Sequence, residues 1–267
     1  MGDTADFDTY QKKHLKIIQG IFSEVCTQEK YTTVSNSSIP GAYYNNITEI
    51  HVADDEREAW LSEIEDDYKL RSKSLTLYVT PSTSPTYLGQ LLKQRGYGDV
   101  YRDSWLSRDT SSSTVSVPSG LKVIRVDNSD KVRQFSDTFK SAYGITEPSN
   151  GSANSNSPYT EMWLRAEQSG KAKLFLVTDG NRPEGCVALI HDHEAGGIYG
   201  VSIPPEVKRP GLRELLYNLC IQEAYGLKLG TVFIQVEPRG LDEQYLKESG
   251  FRILGTAEAL QARMAIR

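Results

Sequence analysis

The stretch Val201-Ser-Ile-Pro-Pro-Glu-Val-Lys-Arg-Pro-Gly-Leu-Arg-Glu-Leu-Leu216 decides how this chain is read. A β-type run from Ile198 to Ile203 ends at Pro204-Pro205, which removes two backbone donors and cannot continue a ladder. A loop with Lys208 and Arg209 follows, then Gly211. From Leu212 the spacing of Leu215, Leu216, Leu219 and Cys220 is helical. The first turn of a helix presents unpaired N–H groups and the positive end of its dipole, which together favour an anion. Lys208, Arg209 and Arg213 add positive charge there, and Gly211 permits close approach of the backbone. The same residues also suit a plain strand-to-helix turn with solvated cations.

The flanking sequence alternates strand and helix signals. Leu121 to Val126 alternates in a β manner, and Asp127-Asn-Ser-Asp130 offers N-caps for a helix carrying Val132, Phe135 and Phe139 on one face. Tyr159 to Gln168 reads as a short helix. Leu174–Val177 and Cys186–Ile190 flank the hairpin residues Asp179-Gly-Asn-Arg-Pro183. Thr231–Val236 is a further strand, and Leu241 to Glu248 a helix closed by Gly250. The predicted order is β-α-α-β-β-β-α-β-α-β, with a right-handed crossover around the helix that starts at Leu212.

The first half repeats part of this order. Leu75–Pro81, a helix around Tyr87 to Arg95, Gly96-Tyr97 and the strand Tyr101–Leu106 stand beside Val232–Pro238, the helix to Ser249, Gly250-Phe251 and Arg252–Leu254. The repeat predicts an internal duplication. The Ser/Thr-rich segment Asp109–Gly120 reads as a linker, and Glu147–Pro158 as a polar loop inside the C-terminal half.

Composition excludes several classes. With 38% hydrophobic and 24% charged residues the 267-residue chain is an ordinary globular sequence. Its net charge of -5 does not advertise a nucleic-acid surface. No apolar run approaches the length of a membrane span, and no secretory leader is recognisable, so a cytoplasmic location is expected. Cys26, Cys186 and Cys220 are far apart, odd in number and not spaced for zinc; they read as reduced thiols. The acidic runs Asp54–Glu56 and Glu63–Asp67 read as a solvated helix face, and no metal is expected.

Residues 121–254 resemble the GNAT superfamily of acyl-CoA N-acyltransferases, whose signature is a strand reading V-x-P followed by R/Q-x-x-G-x-G/A at a helix start. Ile203-Pro-Pro205 matches the first part, and Lys208-Arg-Pro-Gly211-Leu-Arg213 fills the second in register. The resemblance implies an α/β (α+β) fold, a mixed twisted sheet flanked by helices. It also implies a tandem layout: a degenerate GNAT-like domain over 1–110, a linker over 111–120, and an acyl-CoA-binding domain over 121–267. Acetyl-CoA or another acyl-CoA would be the co-substrate. The backbone of Val201 and Ile203 would hold its pantetheine arm and thioester carbonyl beside a bulged strand. Lys208, Arg209, Gly211, Leu212 and Arg213 would hold the pyrophosphate.

Several positions depart from the pattern. Lys208 stands where Arg or Gln is usual and Arg213 where a small residue is usual, while Pro210 removes one backbone donor. The position of the tyrosine that commonly protonates the leaving thiolate is Leu246, with Tyr245 one residue away, and a frequent carboxylate position is Gly197. Acyl transfer needs a neutral amine, a polarised carbonyl and a stabilised thiolate. Side chains placed to accept or donate the proton are Tyr199, His193, Glu237 and Tyr245, with His191 and Glu194 nearby. The expected reaction is transfer of an acetyl or short acyl group to the primary amine of a small molecule, by a monomer or homodimer with no nucleic-acid or membrane partner. Two alternatives remain open: a non-catalytic GNAT-like binding module, and thioester chemistry other than amine acylation, such as decarboxylation or hydrolysis.

Overall fold

A computed structural model describes residues 4–112, 115–146 and 157–262. In chain order the elements are α1 (Thr4–Ile18), β1 (Glu24–Thr27), β2 (Thr32–Ser35), β3 (Asn46–Thr48), α2 (Arg57–Leu70), β4 (Thr76–Val79), α3 (Leu88–Gln94), β5 (Gly98–Asp109), β6 (Leu121–Val126), α4 (Ser129–Ala142), α5 (Pro158–Gln168), β7 (Ala172–Asp179), β8 (Arg182–His191), β9 (Ala195–Ser202), α6 (Leu212–Gly226), β10 (Thr231–Val236), α7 (Leu241–Glu248) and β11 (Arg252–Gln261). From β6 onward this is the predicted order. The polar stretch at 147–156 lies outside the described residues.

By contact the chain forms two compact units, one of residues 1–106 with 235–267 and one of residues 107–234. The second unit is continuous in sequence. Its strands run in the order β10-β9-β8-β7-β6, with the β6–β7, β7–β8 and β8–β9 pairs antiparallel and β10 parallel to β9. The parallel step requires a crossover, and α6 supplies it. Helices α4 and α6 both pack on β8 and β9. Asn128 caps α4, its side chain accepting from the Lys131 amide, and Ser157 caps α5 in the same way through Thr160. Phe135 and Trp163 meet edge to face at 4.7 Å beneath them.

In the first unit the order is β1-β2-β3-β4-β11-β5, again mixed: β3 and β4 are parallel, and β11 pairs antiparallel with β4 from Glu258–Val79 to Gln261–Thr76. The C-terminal strand therefore completes the sheet of the first unit, although chain order would leave it with the second half. Its Leu260 is buried in the same cluster as Leu77, Trp60 and Leu61. The repeat seen in sequence is also a repeat of geometry. Gly96 and Gly250 end α3 and α7 with φ of +88° and +89°. The Tyr97 and Phe251 amides then bond back to Leu92 and Leu246 at 3.0 and 2.9 Å, so each buried aromatic staples its helix end.

Candidate functional site

Within the second unit the sequence singled out by its Pro-Pro break lies at the end of β9. Cys186 pairs with Ser202 and Ala188 with Tyr199, so β9 spends three steps where β8 spends two. The extra residue is a β-bulge. It falls at Gly200, whose φ is +58° and whose added Cβ would stand 3.0 Å from the Trp163 ring. Glycine is needed there for both reasons. On the other side, pairing with β10 runs through Thr231–Ala195, Val232–Gly196 and Phe233–Gly197. Among the described pairings it stops at Gly197.

The chain then turns at Pro204, whose carbonyl accepts from the Val207 amide at 2.9 Å, and reaches α6. Gly211 is the N-cap of that helix in the left-handed region, φ +76°, with no side-chain cap. A Cβ there would meet only Pro118, at 3.8 Å, so no steric contact demands the glycine. Lys208 and Arg213 are exposed beside it. A helix start without a side-chain cap and with flanking cations suits a phosphate group. The Arg209 guanidinium is paired with the Asp179 carboxylate at the β7 end.

Sequence reasoning missed this acidic side of the loop. Asp179 was read only as hairpin chemistry, and buried Glu184 was not singled out. Glu184 accepts from Arg182 Nε and Nη2 at 2.8 and 2.6 Å. Arg182 feels Asp179 and Glu206 as well, and its pKa is held above its ordinary value chiefly by the hydrogen bond to Glu184. An alternation of Arg182 and Glu184 on one strand face was the available signal.

An upstream bulge, a parallel pair that ends early and a glycine-initiated helix together make a recognisable arrangement. It is the GNAT fold. A GCN5-related N-acetyltransferase from Kribbella flavida matches with a TM-score of 0.68 at 16% identity, over 99% of this chain and 97% of that one. Another from Sphaerobacter thermophilus also reaches 0.68, at 15% identity over 95% and 86%. A tandem GNAT protein from the clavulanic acid biosynthesis pathway gives 0.58 at 10% identity over 82% and 74%. No family model and no curated protein sequence matches the chain.

On the GNAT framework, the side chains considered for proton transfer are placed as follows. Tyr199 is buried in β9, edge-on to Phe233 with ring centroids 6.4 Å apart, and burial pushes its hydroxyl well above the usual phenol range. His193 lies in the β8–β9 turn with its side chain 73% exposed, 3.4 Å from Glu194. It stands at the opposite end of β9 from Ile203, roughly 25–30 Å away at the rise of a strand. His191 Nδ1 lies 2.9 Å from the Asp192 carbonyl. Val201 is partly exposed, and its carbonyl accepts from the Tyr143 hydroxyl at 3.4 Å. Ile203 is partly exposed and Leu212 fully buried. Glu237 is exposed just after β10 and Tyr245 half-buried on α7, both in the first unit. Cys186 and Cys220 are buried free thiols, and burial raises the pKa of each. Among the described residues no helix is long and apolar enough to cross a membrane, and no group of three His, Cys, Asp or Glu is placed to hold a metal.

Proposed function

We propose that this protein transfers an acetyl or short acyl group from acyl-CoA to the primary amine of a small molecule. The observation that carries the reading is the Gly200 bulge followed within a few residues by the Gly211 helix start, because the two form a backbone surface and an anion seat in series. The residues present fit CoA: Val201 and Ile203 offer backbone groups to the pantetheine amides, and the Gly211–Arg213 turn with Lys208 offers donors and charge to the pyrophosphate. CoA supplies the activated thioester. The Ile203 amide is the group we assign to its carbonyl oxygen, since a backbone donor can act as an oxyanion ligand whatever the side chain.

The route is direct attack by the amine. Cys186 and Cys220 do not favour a covalent alternative, because burial keeps their thiols protonated. Tyr199 is a poor proton donor for the same reason. His193 is too far along β9 from Ile203 to serve. Glu237 and Tyr245 belong to the first unit and are given no role at the thioester; the amine proton leaves to water. The functional division we assign follows the sequence: residues 121–267 bind acyl-CoA, and 1–110 are a degenerate copy. The matching caps at Gly96 and Gly250 support that duplication.

The test is thermal melting with acetyl-CoA, with adenosine and desulfo-CoA as controls. A ligand that binds only the folded state raises Tm saturably. The shift is expected for acetyl-CoA and is lost in Gly211→Asp or Lys208→Glu; product analysis with a panel of amines then reads transfer. No shift at millimolar acetyl-CoA sinks this reading in favour of a non-catalytic binding module. Thioester consumption without any amine points instead to hydrolysis or decarboxylation.

A further inference from the structure

The first unit holds a cavity of about 30 Å³. At about 10–15 Å³ for one water molecule it admits a head group of two or three atoms, not a whole metabolite. Its wall combines aromatic rings and one carboxylate with the neutral polar groups of Gln11, Asn46, Thr48 and Gln235. Tyr78 of β4 and Tyr101 of β5 line it with ring centroids 5.9 Å apart, and Tyr43 stands at the rim, 38% exposed and 6.1 Å from Tyr101. A cation among these rings lies within the roughly 6 Å reach of cation–π attraction. Asp103 shares a face of β5 with Tyr101 and Trp105, two residues to either side.

A hydrogen-bond chain fixes this carboxylate. Trp105 Nε1 donates to the Tyr78 hydroxyl at 2.8 Å, and that hydroxyl donates to Asp103 Oδ2 at 2.9 Å. Oδ1 has no donor among the described residues, although an ionised carboxylate has room for about four. No Lys or Arg lines the cavity. Burial raises the Asp103 carboxyl to about 6 and holds His14, on the α1 side, down at about 3. Burial also lifts Tyr78 and Tyr101 well above the usual phenol range. Near neutral pH the lining therefore carries one negative charge with a carboxylate oxygen able to accept further donors, which an incoming cation supplies.

We propose that this cavity binds the primary ammonium end of a small organic molecule, with Asp103 as counter-ion and Tyr43, Tyr78 and Tyr101 as its aromatic wall. An ammonium supplies donors to Oδ1 and charge to the rings; an alcohol of equal size lacks the charge, and a carboxylate is repelled. The inference uses no residue of the 201–213 loop, and its test contains no CoA, so the two readings fail separately.

The full chain, labelled with nitrogen-15, is titrated with ethylammonium chloride at constant ionic strength, with ethanol and acetate as controls. A three-atom ligand binds at best in the millimolar range, so the series runs to about 200 mM. The reporter is the Trp105 indole N–H, one of three in the protein and one hydrogen bond from Asp103's partner. A saturable shift with ethylammonium is expected, at least tenfold weaker with ethanol and acetate. Asp103→Asn, which keeps an acceptor for Tyr78, abolishes saturation while the Trp60 and Trp163 resonances stay in place. Should that variant misfold, the wild type at pH 5 serves: Asp103 is then mostly protonated and the affinity falls about tenfold. A linear response to 200 mM, equal response to ethanol, or binding retained in Asp103→Asn overturns the proposal.

Discussion

The phenol ring of Tyr199 lies across Gly197: a Cβ at Gly197 would sit 2.4 Å from Tyr199 Cε2 and 2.6 Å from its hydroxyl oxygen. The glycine at a position where the resembled family often carries a carboxylate thus follows from packing. Gly197→Ala should cost about 1–3 kcal/mol through overpacking. The loss should be relieved when Tyr199 is also cut back to Val, so that the double variant is less destabilised than the sum of the singles by about 1 kcal/mol or more. Urea denaturation of the four proteins measures this, and additive losses would contradict the contact.

Arg209 is held by Asp179, so any phosphate must compete with that carboxylate for it. Asp179→Asn should tighten acetyl-CoA binding. A partly exposed ion pair is worth up to about 1 kcal/mol, so the gain should not exceed about fivefold. Calorimetric titration of wild type, Asp179→Asn and the Arg209→Ala/Asp179→Asn pair checks it; the gain should vanish when Arg209 is absent.

Gly211 is glycine for its conformation, not for want of room. Gly211→Ala should destabilise the protein by about 1 kcal/mol, because a Cβ in the left-handed region is strained even with Pro118 3.8 Å away. Asparagine tolerates that region better, so Gly211→Asn should lose about half as much. Circular-dichroism melts of the two variants decide, and equal losses would argue for a steric cause.

The cavity groups pull stability in opposite directions with pH. Asp103 has its folded pKa raised to about 6, above its unfolded value, so its contribution is present at low pH and lost as pH rises from about 4 to 6. His14 has its folded pKa lowered to about 3, so its contribution is present above about 6.5 and lost as pH falls toward 3. Asp103→Asn should therefore gain stability over wild type at pH 7.5, by about 1–3 kcal/mol, and little at pH 4. His14→Gln should show the reverse, losing less than wild type on acidification. Chemical denaturation at both pH values reads the two differences.

The element order of the second half was legible because hydrophobic period, caps and turn residues agree along it, from Asn128 to Gly250. The glycines of Ala195-Gly-Gly197 hid the start of β9, which begins three residues before the apparent run at Ile198, since their pairing partners and not their own propensity make them a strand. The helix start at Leu212 was also readable. The loop's acidic neighbours were not, because Asp179 reaches Arg209 from thirty positions away. The cavity was invisible for the same reason: His14, Tyr43, Tyr78 and Asp103 lie on four separate segments.

Because β11 pairs with β4, residues near 80 wait for residues near 260 before their sheet is complete. During synthesis from the N-terminus, the middle of the chain, 107–234, has all its own strands in hand while the first hundred residues still lack one. Residues near 80 are thus synthesised well before the strand that completes their sheet. Until then the edge of β4 stands open to pairing with another chain.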